Sequence, residues 1–441
     1  MMLCMDIFDL YQKFLECRQE VSTDTRTMMP GAMYFGWKGE SADGNVFAGE
    51  ALEKGARYVV IDNPDYYIDE RTIVVPDTLQ AFQQLARHHR RQFNIPVIAI
   101  AGSNGKTTTK DLVNSILSQQ KDTVASISSL NNHTGVPKTL FRIHAETDIV
   151  IVEMGANHVG EIADLCEIAE PTHGLVTNIG RDHIGYFGDQ TAIIEANAEL
   201  YYYLQTTGGK VLVNKNNMTL MKFSGGNERL CYGEGLLGES GVTSLGTTPY
   251  VSFHWKHYTI ETQLTGEYNI ENINAAIAVA VHFNILDEYI IRGVVLYQPT
   301  SNRSELVPET EKGNIVVKDY YNANRTSMHA ALLNLAALGK DNPAKKTIAI
   351  LGDMLELGDY SSTEHQAVVD IARELGVDKL ILVGPDFSAT HHGDAQVFLD
   401  VNQAIVYLQE QQISDSVILL KSSKNHPRIP IFQNIFDAIS W

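Results

Sequence analysis

The sequence predicts an α/β protein of three domains. Three observations lead there. Apolar runs such as VIAIA, DIVIVE and GLVTNIG alternate with helical patterns, as strands buried on both faces of a parallel sheet do. One run enters a glycine-bracketed turn, GSNGKTT, that opens directly onto a helix. A second alternation begins near Pro299 and continues to the C-terminus. At 441 residues the chain exceeds one ordinary hydrophobic core.

The elements follow in order. MMLCMDIFDLYQKFLECRQ carries Asp6 and Asp9 inside an apolar pattern, so it reads as an amphipathic helix and not a signal peptide. A polar turn and a Pro30-Gly31 break precede a strand, MYFGW. FAGEALEKGARYVVID is a helix stopped at Gly55, then a strand, and LQAFQQLARHHRRQ is a helix leading out. These make a small α/β N-terminal domain, residues 1–92. The central parallel-sheet domain, 93–298, runs VIAIA, loop, helix, TVASIS, DIVIVEMGA and GLVTNIG. KVLV and a β-rich stretch at 250–264 continue it, and the small-residue helix NINAAIAVAVHF closes it. NIVVKDY, HAALLNLAALG, KTIAILGDM, AVVDIARELG, KLILVG, AIVYLQEQ and SVILLK make a Rossmann-like C-terminal domain, 299–441.

Composition narrows the function classes. Hydrophobic residues are 44% and charged residues 20%, as in a soluble globular protein. A formal net charge of −19 would repel a phosphate backbone, so no nucleic-acid partner is expected. No stretch is apolar for the length a bilayer needs, so no membrane insertion is expected. Cys4, Cys17, Cys166 and Cys231 lack CxxC spacing, which fits a reduced, cytoplasmic setting.

GSNGKTT carries the chemistry. Gly102 and Gly105 let backbone N–H groups converge, and the helix that follows adds its positive end. Lys106 can reach β- and γ-phosphate oxygens, and the Thr107 hydroxyl can ligate Mg²⁺. This is the shorter GxxGKT form, because Ile100 stands where the long form has glycine. The alternative is a chance Gly-Lys-Thr turn, and placement after a buried strand argues against it. The motif alone does not separate a kinase, a switch, a motor and a ligase. Glu153 ends the strand DIVIVE, where a magnesium carboxylate belongs. Asp182 and His183 follow GLVTNIG at the same sheet edge.

At this point the chain resembles the Mur ligases. The segments that carry the likeness are STDTRTMMPGAMYFGWKGESADGNVF, IAIAGSNGKTTTK, SSLNNHTGVPKTL, IVIVEMGANHVGEI, TNIGRDHIGYFG, GEYNIENINAAIA, NRSELV, KDYYNANRTSMHAAL and AILGDMLELG, in that order. The resemblance implies an ATP- and Mg²⁺-dependent ligase of cell-wall peptidoglycan synthesis, and through it a part in cell shape and division. It would join a UDP-MurNAc-tripeptide to D-Ala-D-Ala through an acyl phosphate, as a monomer. It implies ATP contacts at Gly102, Ser103, Asn104, Gly105, Lys106, Thr107 and Thr108. Asn272, Arg303, Asp319, Tyr321 and Asn322 serve the nucleotide and its third-domain side. Thr107, Glu153 and His183 would hold the metal, with Lys106, Glu153 and His183 catalytic. Thr23, Asp24, Arg26, Asn132 and His133 would meet the uridine-linked donor.

The chain departs from the family pattern in four places. Asn197 stands where the family has a carbamylated lysine. Ile184-Gly185 stand where close relatives have an acidic residue. Arg325 follows YNAN in place of proline, and Ser422 replaces glycine in a "KGS" turn within SVILLKSSKNHPRI. Glu195, Asp182 or water could cover the missing carbamate. Two other readings follow from these departures: a paralog joining a different acid and amine, or a nucleotide-binding module with little turnover.

The remaining motifs read plainly. His88-His89-Arg90-Arg91 is a solvated helix end, His391-His392 an exposed loop, and Glu364-His365 a helix surface. Tyr201-Tyr202-Tyr203 is helix packing plus surface. Asp353 is either a helix-start cap or, with Glu356, near the acceptor amine.

Overall fold

The computed structural model describes residues 6–39, 42–233, 241–423 and 432–440. The first sheet has four parallel strands in chain order: Val21–Ser22, Met33–Gly36, Tyr58–Ile61 and Thr72–Val74. Helix Ile7–Glu16 packs against Thr78–Arg90, the helix that leads to the central domain. Phe14, Phe82 and Phe141 meet there in one cluster with ring centroids 5.1–5.2 Å from Phe141. Full burial of such rings stabilises by about 2–3 kcal/mol each.

The helix end at 88–91 departs from expectation, because His89 and Arg90 are buried. The His89 ring donates from Nε2 to Ile143 O at 2.9 Å and meets Tyr11 Oη through Nδ1 at 3.2 Å. Arg90 reaches Phe93 O at 2.8 Å, Ile95 O at 3.2 Å and Ala169 O at 3.3 Å. Polar groups are tolerated inside because each finds a partner. Burial pulls the His89 ring below its usual range.

The central sheet has six parallel strands in the order Glu228–Tyr232, Lys210–Asn214, His173–Val176, Val97–Ala101, Ile149–Glu153, Thr123–Ala125. The chain goes from Val97–Ala101 to the edge strand Thr123–Ala125, returns through Ile149–Glu153, and then crosses to the other side and runs outward there. The sequence of strands therefore reverses beside it, and ligands of such sheets sit outside the carboxyl ends at that point. Register sets Ile100 against Glu153 and Ala101 against Val176, so three strand ends meet at one edge. Helix Tyr268–His282 packs on helix Lys106–Leu117. The stretch at 250–264 does not continue this sheet. It belongs to a separate antiparallel ribbon, Val242–Gly246, Ser252–Trp255 and Tyr258–Glu261, whose buried Trp255 and Phe253 join the core under the phosphate-loop helix.

The last sheet runs Glu305–Val307, Ile315–Asp319, Ser416–Lys421, Lys346–Gly352, Lys379–Val383, Gln396–Phe398. Only its first pair is antiparallel. Helix Ser361–Glu374 corrects a second expectation: Glu364 and His365 are both buried. His365 accepts from Met354 N at 3.0 Å through Nε2 and donates to Ser361 O at 2.7 Å through Nδ1. Tyr201 is buried while Tyr202 is exposed, as packing plus surface requires. Residues 424–429 of SVILLKSSKNHPRI lie outside the described residues. No helix among the described residues is long and apolar enough to cross a membrane.

Candidate active site

A cavity of about 1680 Å³ opens at the carboxyl edge of the central sheet, and residues of all three sheet-bearing units line it. The phosphate loop forms its floor. Gly102 has φ 125° and Gly105 φ 79°, a region that favours glycine. A Cβ at Gly102 would stand 2.2 Å from Thr177 Oγ1, and one at Gly105 2.5 Å from Asn272 Oδ1. The loop is braced from behind. Ser103 N donates to Asn178 O at 2.9 Å, and Asn104 N to Asn178 Oδ1 at 3.1 Å. Thr177 Oγ1 donates to Asn104 O at 2.7 Å. Helix Lys106–Leu117 starts at Gly105 without a side-chain cap, so its first N–H groups and its dipole face the cavity undischarged. Lys106 folds over the loop and donates to Gly102 O and, at 3.1 Å, to Ser103 O.

Glu153 sits behind this loop, 1% exposed. Thr107 Oγ1 donates to its Oε2 at 2.9 Å and Asn131 Nδ2 to its Oε1 at 3.0 Å. No ion pair to it exists among the described residues. A buried carboxylate held only by neutral donors is costly until a cation joins it. A hydroxyl and a carboxylate side by side are hard oxygen donors, which suits Mg²⁺. His183 lines the same cavity in a left-handed conformation, φ 51°, with Nδ1 against the Glu356 carboxylate of the third domain. That close approach holds the Glu356 carboxyl below its usual range.

The wall expected to meet the nucleotide is built across domains. Asn272, buried, accepts from Thr109 Oγ1 at 3.1 Å while pressing on Gly105. The Arg303 guanidinium lies 3.6 Å from the Tyr321 ring centroid. Arg303 Nη2 and Tyr321 Oη each reach Ser129 Oγ at 2.8 Å. Asp319 accepts from Lys421 Nζ at 2.7 Å, and the same ammonium donates to Asn322 O at 3.1 Å. Asn324 Nδ2 donates to Asn104 Oδ1 at 3.0 Å, seating helix Arg325–Asp341 on the phosphate loop.

Comparison with known proteins fits this geometry. Family models described as Mur ligase family, catalytic domain; Mur ligase middle domain; and Mur ligase, glutamate ligase domain match residues 19–90, 100–280 and 302–424. The UDP-N-acetylmuramoyl-tripeptide–D-alanyl-D-alanine ligase of Synechocystis sp. is 36% identical over 369 residues, 83% of this chain and 79% of that protein. The chain belongs to the Mur ligase family. The enzyme of the same name from Escherichia coli is 32% identical over 422 residues, covering 92% of this chain and 91% of its own. A crystal structure of MurF from Acinetobacter baumannii superposes with a TM-score of 0.85 at 28% identity, covering 98% of both chains.

Within this Mur ligase, the structure brings together the loop residues 102–108, except Gly102, as cavity lining with Asn132, His133, Glu153, His183, Asn272, Arg303, Asp319, Tyr321 and Asn322. Gly102 shapes the turn from beneath. Thr23, Asp24 and Arg26 do not line the cavity. Asp24 instead pairs with Arg26 at 2.6 Å on the surface, and the hydrogen bond from Arg26 pulls its carboxyl down to about 2. Asn197 does not reach the cavity either: it donates to Ile193 O at 2.8 Å within its own helix. Glu195 is exposed and Asp182 buried, and neither lines the cavity. Asp353 caps a helix other than its own: its carboxylate accepts Phe387 N at 2.9 Å and Asp386 N at 3.1 Å, starting helix Pro385–Ser388. Burial pushes that carboxyl up.

The sequence reading missed Gln80, Gln83, Gln84 and Arg87, which bring helix Thr78–Arg90 of the first domain to the cavity wall. Gln83 Nε2 donates to His133 O at 3.0 Å. Their i, i+3, i+4, i+7 spacing is a polar helix face, and that was the available signal. Lys421, 1% exposed and bound to Asp319, was missed because an apolar strand, SVILLK, hides it.

Proposed function

We propose that the chain is an ATP-dependent amide-bond ligase of peptidoglycan precursor synthesis, acting in the cytoplasm as a monomer. Its donor is a UDP-MurNAc-tripeptide carboxylate and its amine is D-Ala-D-Ala. The division into uridine-donor (1–92), ATP (93–298) and amine (299–441) domains is part of the same reading. The observation that supports it best is the cavity itself, where the uncapped phosphate-loop helix and the buried Glu153 face a wall supplied by the third domain.

A carboxylate and an amine do not form an amide in water, because oxide is too poor a leaving group. The donor carboxylate oxygen therefore attacks the γ-phosphorus of ATP, and the bridging oxygen leaves with ADP. The amine then attacks the carbonyl of the acyl phosphate, and phosphate leaves from the tetrahedral intermediate. Charge builds first on phosphoryl oxygens, where the N–H groups of residues 105–107 and the Lys106 ammonium stabilise it. Asn272, Arg303, Asp319, Tyr321 and Asn322 hold the nucleotide against the third domain. Asn132 and His133, beside Gln83, orient the donor. Magnesium held by Thr107 and Glu153, with His183, would neutralise the transferring phosphate. Enclosure by three domains keeps water from an intermediate that hydrolyses readily.

Phosphate release from ATP, Mg²⁺ and UDP-MurNAc-tripeptide, with and without D-Ala-D-Ala, tests this. Release that requires D-Ala-D-Ala is expected. The placement of Asn197 away from the cavity favours one second reading, a paralog with the same reaction and another amine. Release with other amines alone would select it, and tight ATP binding with no release would leave only a nucleotide-binding module.

A further inference from the structure

The segment Gly180–Gly188 belongs to the central domain by chain order, yet most of its partners lie in the third. Arg181 Nη2 reaches Glu364 Oε1 at 3.0 Å, and Glu364 is 1% exposed. His183 meets the Glu356 carboxylate. Ile184 is buried in the third-domain core cluster that holds Met328, Met354 and Leu357. Gly185 N donates to Glu356 O at 2.9 Å, and Tyr360 Oη donates to Gly188 O at 2.7 Å. The absence of a side chain at 185 is required by this contact. A Cβ there would stand 2.5 Å from Gly358 N, 2.6 Å from Leu357 C and 2.7 Å from Glu356 O. His183 and Glu356 both take left-handed backbone conformations, φ 51° and 62°, and face each other across the junction. Such conformations persist where the surroundings over-determine them. Here those surroundings are the other domain.

We propose that Glu356 is a positioning residue that couples seating of the third domain to the chemistry: it holds the His183 imidazole in the cleft, so that the ring takes its working place only while Met354–Tyr360 is docked on Gly180–Gly188. The proposal rests on reading the cleft as the ligase site. Its consequence is conditional turnover. An open cleft has the phosphate loop but not a fixed His183, so ATP is not committed to an acyl phosphate that water would destroy. The acidic residue that fixes the ring comes from the domain assigned to the amine.

Hydrogen–deuterium exchange on the full-length chain tests the coupling without turnover, and steady-state kinetics test its use. The variants are Glu356→Ala, Glu356→Gln and, from the other side of the junction, Arg181→Ala. Glu356 is about one-third exposed at the side chain (35%), so the fold around it survives truncation; Arg181→Ala leaves the buried Glu364 only Arg325 at 3.8 Å, so thermal melting is read beside its exchange. In Glu356→Ala, exchange of the 181–188 amides rises about tenfold or more, while peptides covering 97–117 and 346–352 exchange as in the parent. Glu356→Gln, which keeps the size and an acceptor oxygen, restores most of the protection. Arg181→Ala raises exchange in the same segment by less. In acceptor-dependent ADP formation, Glu356→Ala lowers kcat about tenfold or more and leaves KM for ATP within about twofold. Unchanged exchange at 181–188 overturns the coupling. Raised exchange with unchanged kcat, or a KM for ATP that rises as far as kcat falls, overturns the positioning role. Should the parent show no D-Ala-D-Ala-dependent turnover, the functional reading fails and the exchange data still decide whether the junction is coupled.

Discussion

Two helix N-termini meet at the cleft from opposite sides, and they are finished differently. Helix Lys106–Leu117 begins at a glycine and has no side-chain cap. Helix Arg325–Asp341 begins with a full capping box: Asn324 Oδ1 accepts Ser327 N at 2.8 Å, and Ser327 Oγ accepts Asn324 N at 3.0 Å. The capped terminus even leans on the uncapped one, through Asn324 and Asn104. Both helices follow strands in six-stranded, largely parallel sheets, so architecture does not explain the contrast. Function does. Capping satisfies the first N–H groups and stabilises a helix by about 1 kcal/mol. Leaving them unsatisfied forgoes that stability and keeps an anion site.

The largest expected effect breaks the open terminus. Lys106→Ala lowers kcat/KM for acceptor-dependent ADP formation by ~10²–10³-fold, the size of losing one preorganised group at developing charge, with an unchanged melting temperature. Gly105→Ala is next. Its Cβ meets Asn272 Oδ1 at 2.5 Å in a left-handed conformation, so it weakens ATP binding and costs about 1–2 kcal/mol of stability, read by nucleotide titration and thermal melting. The closed terminus responds in the opposite proportion. Asn324→Ala costs about 1 kcal/mol through the lost cap and lowers the melting temperature by a few degrees, while ATP turnover falls less than in Lys106→Ala. An effect of Asn324→Ala on turnover equal to that of Lys106→Ala would erase the contrast.

The smallest effect lies at the far edge of the same central sheet. His173 is pulled down to about 4, by burial and then by His282, whose Nε2 lies 3.0 Å away. A folded-state pKa below the unfolded value means that the unfolded chain binds the proton first. Stability is therefore fully present above about 6.5 and is lost as pH falls from there toward 4. His173→Phe flattens the loss in that window, read by chemical denaturation at several pH values, and leaves turnover at neutral pH intact.

Much of the site was legible because its chemistry is local. Gly102, Gly105, Lys106 and Thr107 fall within six positions, and Glu153 ends a strand whose neighbour is the loop strand. Less was legible wherever one element's surface is another's core. Arg90 and His89 look like a solvated run, and become buried because the linker helix is pressed between Tyr11, Ile143 and Ala169. Glu364 looks like an exposed helix charge, and is covered because Arg181 of another domain lies on it. Thr23, Asp24 and Arg26, expected to meet the uridine-linked donor, do not line the cavity, whose first-domain wall includes Gln80, Gln83, Gln84 and Arg87.

Periodicity, glycine placement and the order of apolar runs settled three α/β units, a phosphate loop and the strand end that carries its carboxylate, because backbone sterics and burial act over a few residues. Tertiary structure alone decided that Lys421 and Asp319 pair in the cleft and that Glu356 grips His183. Those contacts join residues from about 100 to over 170 positions apart, and only the packing of whole domains brings them within hydrogen-bond reach.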